Sequence, residues 1–538
     1  MAFSAVQLTA AVVIVVLSAL FVRRRRSGAL AGLPGPEAAH RVLGYLPIFY
    51  RTPVGQIDFT FQRVHGGAAK FEGLFGYQHL WLCDPKAVKY VVQGAGYGFM
   101  RAPERKENAR LILGQSVLVV EGDAHRRQRR IMLPGFGSLE ASTYVPSFSR
   151  KAAKMADKWV ELMQGQDTFT IDVPAWTARA TLDALGEAAF DYQFNALDDM
   201  SGELTKVFNN LFAKTRLNPG NWEIFVSQMV ALMPDNLVRF WNENVPDKKR
   251  AFLIRSREAS ERVARQLVEE KSAALLAENG GHDIMSLLVK ANATAGAKDS
   301  LSQNEMLAQL STIVLAGHET TANTISWILL ELCRNTDVQT RLRDEIRTVR
   351  RQRDEPELTA ATFDDMPYMT AIVKEILRFH PAIYNMHKEA TRDDIVPLSH
   401  PVVGTDGKPI HEIPVQKGQK IILSTAAYNR DTNVFGADAH SFNPDRWLKE
   451  GYVTKQSLGV FANLLTFGGG NRACLGWRFA VLELSAFLVE LVDKFEFSID
   501  PKLKIQRGAV GFMIPLVEGE IEKGSQLPLQ VRLAPSTD

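Results

Sequence analysis

The chain has 538 residues, 63 Lys and Arg against 60 Asp and Glu, a net charge of +3 and 46% hydrophobic residues. Those proportions are ordinary for a globular protein, and with four of the positive charges in one run they exclude a general attraction to nucleic acid. Three cysteines, Cys83, Cys333 and Cys474, make no disulfide framework and fit a reducing compartment.

Residues 2–22 carry no charged side chain and are mostly Ala, Val, Leu and Ile, followed at once by Arg23, Arg24, Arg25 and Arg26. About 20 such residues span a bilayer as a helix. Basic residues after the apolar run, rather than before it, argue for a retained anchor with a cytoplasmic body and against a cleaved signal. L-P-G-P at 33–36 is a stiff segment that cannot continue a helix. The length prior suggests about three domains, yet no linker-like boundary follows the first forty residues, so the boundaries read as 2–22 anchor, 23–36 basic stop and hinge, and 37–538 catalytic domain.

Short strands are expected between residues 71 and 92, one at 80–83, with a helix after Asp84-Pro85. Residues 122–136 form a basic stretch containing His125, Arg126, Arg127, Arg129 and Arg130; His125 and Arg129 stand at i, i+4 and share one helical face. Such a run is either a solvated face or a site for anions. Residues 204–241 are apolar and aromatic, 247–278 read as a long amphipathic surface helix, and 292–300 as a polar loop. Asn292 opens a glycosylation sequon that goes unused on a cytosolic face.

The longest helical stretch covers 304–332 and contains A-G-H-E-T-T at 316–321. A mid-helix glycine costs about 1 kcal/mol relative to alanine. Ile313, Ala316, Gly317, Thr320 and Thr324 make a small, hydroxylated face, suited either to close helix packing or to a small ligand. Residues 348–357 are of mixed charge and read as a solvated helix end. Residues 369–380 form a helix ending at Pro381, with Glu375 and Arg378 at i, i+3, and F-N-P-D-R-W follows at 442–447. A hairpin is expected to turn at Asp406-Gly407, and a last short element at 509–514 carries Phe512 at its tip. The string F-G-G-G-N-R-A-C-L-G at 467–476 sets Cys474 among glycines with Arg472 nearby. Glycine allows positive φ and close backbone approach. A thiolate held by amides near an arginine, with a helix N-terminus behind it, is a good soft ligand for iron.

That string resembles the haem-ligand signature F-x-x-G-x-R-x-C-x-G of the cytochrome P450 family, matched by Phe467, Gly470, Arg472, Cys474 and Gly476. Residues 316–321 resemble the family's oxygen-binding pattern (A/G)-G-x-(D/E)-T-(T/S). Glu375 and Arg378 with Arg446 resemble its E-x-x-R and F-x-P-x-R motifs, and the 33–36 segment resembles its proline-rich hinge. The chain is identified as resembling the membrane-anchored eukaryotic, fungal type of that family from its anchor to its end.

The resemblance implies a mainly α fold with a small β lobe, a single haem domain preceded by one transmembrane helix, and haem b with Cys474 as the axial thiolate. It implies that Phe467 shields the sulfur, that Arg472 pairs with a propionate, and that Gly476 completes the loop. Ala316 and Gly317 would leave room for dioxygen, while Thr320 and Glu319 would deliver protons. In the family a W-x-x-x-R pattern binds a propionate; here His125 takes the tryptophan position and Arg129 follows. Lys388 stands where many relatives carry arginine and loses the bidentate fork. Arg126, Arg127 and Arg130 remain for an acidic redox partner.

The activity implied is insertion of one oxygen atom from O2 into a hydrophobic small molecule, a terpenoid or other specialised metabolite, with fatty-acid or xenobiotic hydroxylation as the alternative. Val117, Phe212, Ile313, Ala382, Ile383 and Phe512 are the apolar pocket residues. No G-x-G-x-x-G string occurs, so electrons are expected from a separate NADPH–cytochrome P450 reductase, with cytochrome b5 as a second donor, at the endoplasmic reticulum membrane. A haem-thiolate isomerase or a haem-binding sensor would need neither member of the Glu319-Thr320 pair.

Overall fold

The computed structural model describes residues 28–199, 202, 206–207, 210–276, 281–296, 298–353, 357–454 and 456–535. The anchor expected at 2–22 and its four arginines lie outside these residues. Among the described residues no helix is long and apolar enough to cross a membrane. The hinge is described: Leu33 is buried, and the carbonyl of Pro34 accepts from the Lys70 amide at 2.9 Å, which lays this stiff segment against the first strand.

The main sheet has five strands, β1 (Ala68–Glu72), β2 (Gln78–Leu82), β3 (Phe99–Arg101), β4 (Asn385–Ala390) and β5 (Lys420–Ser424), in the order β1-β2-β5-β4-β3. Only β2 and β5 pair in parallel. The sheet joins strands from residues 68–101 with strands from residues 385–424, and its centre is apolar, with Leu80, Trp81, Leu82, Ile421 and Leu423 fully buried. Asp84 caps the next helix, accepting from the amides of Lys86 and Ala87 at 3.0 Å each. The expected hairpin forms between Asp394–Val403 and Pro409–Val415, and Gly407 supplies the positive φ of its turn.

Helices make up the rest of what positions the site: α1 (Pro103–Leu113), α2 (Gly122–Met132), α3 (Val145–Met163), α4 (Val173–Phe190), α5 (Leu211–Arg216), α6 (Gln303–Arg334), α7 (Pro367–Phe379) and α8 (Trp477–Lys494). The central one, α6, runs 32 residues, about 48 Å at the helical rise. Ser302 starts it with a capping box: the Glu305 amide donates to Ser302 Oγ, and the Ser302 amide donates to the Glu305 carboxylate at 2.9 Å. Burial on nearly every side marks it as a core helix rather than an amphipathic one. One expectation, a polar loop at 292–300, holds in part. Residues 292–294 belong to the end of a helix, Ile284–Thr294, and the Asn292 side chain ties to both backbone groups of Leu301 across the turn that follows.

Behind the cysteine loop lies a buried ionic network. Glu375 on α7 accepts from Arg378 at 2.6 and 2.9 Å, from Arg446 at 3.0 and 3.1 Å, and from Trp447 at 2.9 Å. The Asn443 amide adds a further donor at 2.8 Å, and the remaining guanidinium nitrogens reach backbone carbonyls and Asp438. Both arginines are completely buried. A buried charge is tolerable only when its partners and hydrogen bonds are this complete.

Candidate active site

Residues 467–476 wind into a tight loop in which the Cys474 amide donates to the Phe467 carbonyl at 2.8 Å. Gly470 needs both its positive φ and its lack of a side chain, since a Cβ there would lie 2.1 Å from the Val92 carbonyl oxygen. Phe467 stands edge-on to Phe461, with ring centres 6.1 Å apart. Cys474 keeps an accessible face, yet protein surrounds the sulfur closely enough that burial raises its pKa. Together these mean that the sulfur opens onto an internal space rather than the outer surface. The Gly476 amide and the Arg129 guanidinium pull the pKa back down, and these groups would favour a thiolate once a metal takes the proton's place.

Four further groups gather beside this loop and its own Arg472. Arg129 on α2 donates to the Ala473 carbonyl at 2.7 Å. Arg472 donates to the carbonyls of Val117 and Val120 at 3.0 and 2.7 Å and pairs with the Glu121 carboxylate. His125 is buried, and burial followed by Arg472, Arg129, Arg126 and Lys388 lowers its pKa to about 3. Its Nδ1 lies 2.7 Å from the Tyr97 hydroxyl. In the tautomer in which that hydroxyl donates, Nε2 carries the proton and offers an N–H as an indole would.

Lys388 on β4 sits directly opposite Arg101 on β3. Like charges at facing positions of a sheet destabilise it. Burial, then Arg101 and Arg472, draw the Lys388 pKa down to about 8. Burial and Arg472 also lower that of Arg101. Among the groups acting on this cluster only Glu121 is a carboxylate. An inward-facing sulfur beside a cation cluster short of anions is what a metal macrocycle with acidic side arms requires, and the residues fit haem. Arg101 was missed in the sequence; only its pairing with Lys388, nearly 290 positions away, reveals it.

On α6 the residues 306–315 are buried, but Ala316 is exposed inside the fold. Gly317 has a packing role as well. A Cβ on it would come within 2.8 Å of Leu185 on α4, so the glycine lets α6 pack closely on α4, while Ala316 is the exposed position beside it. Thr320 Oγ1 donates to the Ala316 carbonyl at 2.7 Å, which leaves the hydroxyl oxygen to accept from elsewhere. Burial raises the Glu319 carboxyl to about 8, and no other cause acts on it. It therefore holds its proton at neutral pH. Glu483 on α8, also unnoticed in the sequence, is fully buried; burial pushes its pKa well up against the opposing effect of the Thr321 hydroxyl.

The basic stretch divides. Arg127 is taken by Glu305, at 2.5 and 3.2 Å, and so braces the start of α6 instead of facing a partner. Arg126 and Arg130 remain outside, exposed and paired with Asp123 and Asp299. Of the expected pocket residues, Val117, Phe212, Ile313 and Phe512 are buried, and Phe212 meets Phe512 edge-on at 5.0 Å. Ile383 is more exposed, at 37%.

A mainly helical fold with this cysteine loop and cation cluster defines a haem-thiolate protein. The family model described as Cytochrome P450 matches residues 34–521. The chain is 30% identical to cytochrome P450 monooxygenase 205 of Postia placenta, over 94% of this chain and 93% of the relative. It is 31% identical to monooxygenase 128 of the same fungus, over 94% and 92%. To cytochrome P450 monooxygenase claO of Ampulloclitocybe clavipes it is 29% identical, over 96% of each. The chain belongs to the cytochrome P450 family and is an oxidoreductase whose cofactor is haem bound through a cysteine.

Proposed function

We propose that this chain inserts one oxygen atom of O2 into a C–H bond of a hydrophobic small molecule of the terpenoid or specialised-metabolite class. Electrons come from NADPH through a separate reductase, and residues 2–22 anchor the enzyme in the endoplasmic reticulum membrane with residues 37–538 in the cytoplasm. When bound, haem supplies dioxygen activation and oxygen-atom transfer. Cys474 would hold it from one side, its Sγ accepting from the Gly476 amide. Arg101, Arg129, Lys388 and Arg472, with the His125 N–H, would take its propionates.

The observation that carries the reading is Glu319. Its carboxyl is enclosed by protein, protonated at neutral pH and next to Thr320 on the helix that exposes Ala316 inside the fold. A proton held there is of use to an oxygenase, which must protonate reduced oxygen before water can leave. Rearrangement of a peroxide, or mere haem binding, would not need it. Buried Phe212, Phe512, Ile313 and Val117 favour an apolar substrate body. A carboxylic-acid head group on that substrate is favoured by one specific observation, Arg216, developed below.

The test is to incubate membranes holding the protein and a reductase with NADPH and heavy dioxygen, offering terpenoids, sterols and fatty acids together. Heavy oxygen in one product class, absent with Cys474→Ala, supports the proposal and names the class. A thiolate-type carbon monoxide spectrum without NADPH-dependent oxygen uptake on any of them would overturn it.

A further inference from the structure

The interior that the sequence predicts to be apolar also holds an arginine that has no acidic partner among the described residues. Arg216 closes α5, and among the described residues it makes no hydrogen bond or ion pair with a carboxylate. Protein surrounds it, and burial followed by Arg105 lowers its guanidinium to about 10, which leaves it charged at neutral pH. Burying an unpaired charge is costly, so a fold that keeps one has a use for it.

The surroundings are shaped to hold this guanidinium in place. It lies over the Phe212 ring, 4.8 Å from the centroid, as cation–π pairs do. Phe212 is in turn locked edge-on against Phe512. The turn between the paired strands Ile505–Ala509 and Met513–Val517 carries Gly511 at φ +101°, and a Cβ there would come within 2.7 Å of Arg216 Nη1, so any side chain would push the guanidinium away. The Gly511 amide also reaches the Tyr384 hydroxyl, and burial keeps that phenol neutral, raised to about 12. With its oxygen accepting from Gly511, the Tyr384 O–H is left as a donor.

Arg105 on α1 adds a second positive charge. It donates to the Tyr50 hydroxyl at 3.2 Å and borders a narrow cavity together with Glu104, His387 and Lys420. The neighbouring carboxylate, Glu104, is paired with Lys420 at 3.1 Å. Arg105 and Tyr384 are close enough to act electrostatically on Arg216, and Phe212 and Phe512 lie beside Arg216 as the apolar surface for a substrate's body.

Resting on the monooxygenase reading above, we propose that the substrate is a hydrophobic carboxylic acid whose carboxylate is held by Arg216, with Arg105 and Tyr384 assisting. The planar fork of arginine matches a carboxylate in two parallel hydrogen bonds. A linear fatty acid and a polycyclic terpenoid acid share this head group.

The experiment measures binding to the purified holoprotein by calorimetry, with dodecanoate and abietate each compared with its methyl ester. The wild type is expected to bind one of the acids at least about ten-fold more tightly than its ester, a usual magnitude for a charge-assisted hydrogen-bonded pair. Arg216→Gln should abolish that preference and leave ester binding unchanged, while Arg216→Lys should keep part of it. Whichever acid shows the preference tells the linear source from the polycyclic one. Esters bound as tightly as acids, neither acid bound at all, or an undiminished preference in Arg216→Gln would each overturn the proposal. Circular dichroism of the variants separates lost recognition from lost folding. The carbon monoxide spectrum is recorded alongside. Its absence would sink the haem-thiolate reading, whereas the calorimetric preference decides Arg216 by itself.

Discussion

Two groups of charges inside the fold, one fully buried and one only partly so, lie about the cysteine loop, and they are built on opposite plans. Behind it, Glu375, Arg378 and Arg446 satisfy one another and the surrounding carbonyls almost completely, at essentially zero exposure. In front of it, Arg101, Lys388, Arg105 and Arg216 face inward with few carboxylates to meet them, and burial, then repulsion from neighbouring cations, lowers the pKa of three of the four. A completed network fixes a conformation. An uncompleted one is stabilised by whatever anion enters, and so marks where ligands belong.

The predictions test that contrast. Cys474→Ala lies between the two regions and should have the largest effect: complete loss of the thiolate-type carbon monoxide spectrum and of turnover, with circular dichroism unchanged. Glu375→Gln should come next, destabilising the fold by about 3–5 kcal/mol because two buried guanidinium groups lose their anion. Urea unfolding would measure it, and a change below about 1 kcal/mol would show that the network is not what braces the loop.

Glu319→Gln should leave the fold intact and lower product formed per NADPH by about a hundred-fold, the usual size of a general-acid contribution. Product formation by the wild type should fall as pH rises through about 8, as the carboxyl loses its proton. Stability follows the same group. Its pKa is about 8 folded against 4.5 ordinarily, so between these values the folded chain binds more protons than the unfolded one. Wild-type stability should therefore decline with rising pH across that window, and by less in the variant. Urea midpoints at about pH 6 and about pH 9 would show it. Lys388→Arg should have the smallest effect, slowing haem loss no more than about three-fold by restoring a fork that can grip a carboxylate. A faster loss would mean that the β3–β4 pair does not face a propionate.

Much of this was legible in the chain. The spacing of Glu375 and Arg378, the F-N-P-D-R-W string and the cysteine loop specify local geometry, because an i, i+3 pair and a positive-φ glycine act over a few residues wherever they occur. The hairpin at Asp406-Gly407, the Asp84 cap and the length of α6 follow from equally local preferences. Gly317 shows the limit. Its place in a small, hydroxylated face suited either close packing or open space, but which side of a buried helix touches a neighbour depends on the neighbour, and Leu185 of α4 lies more than 130 positions away.

The sequence by itself determined the class of chemistry, since thiolate, acid and hydroxyl sit in short strings whose backbone geometry is self-contained. Tertiary structure alone decided what each charge does. It gave Arg127 to Glu305, set Arg101 against Lys388, and left Arg216 over Phe212 with no carboxylate partner among the described residues. Whether an ionised group is paired, repelled or waiting for a ligand depends on distances across the fold and on burial, and neither is written in the order of the residues.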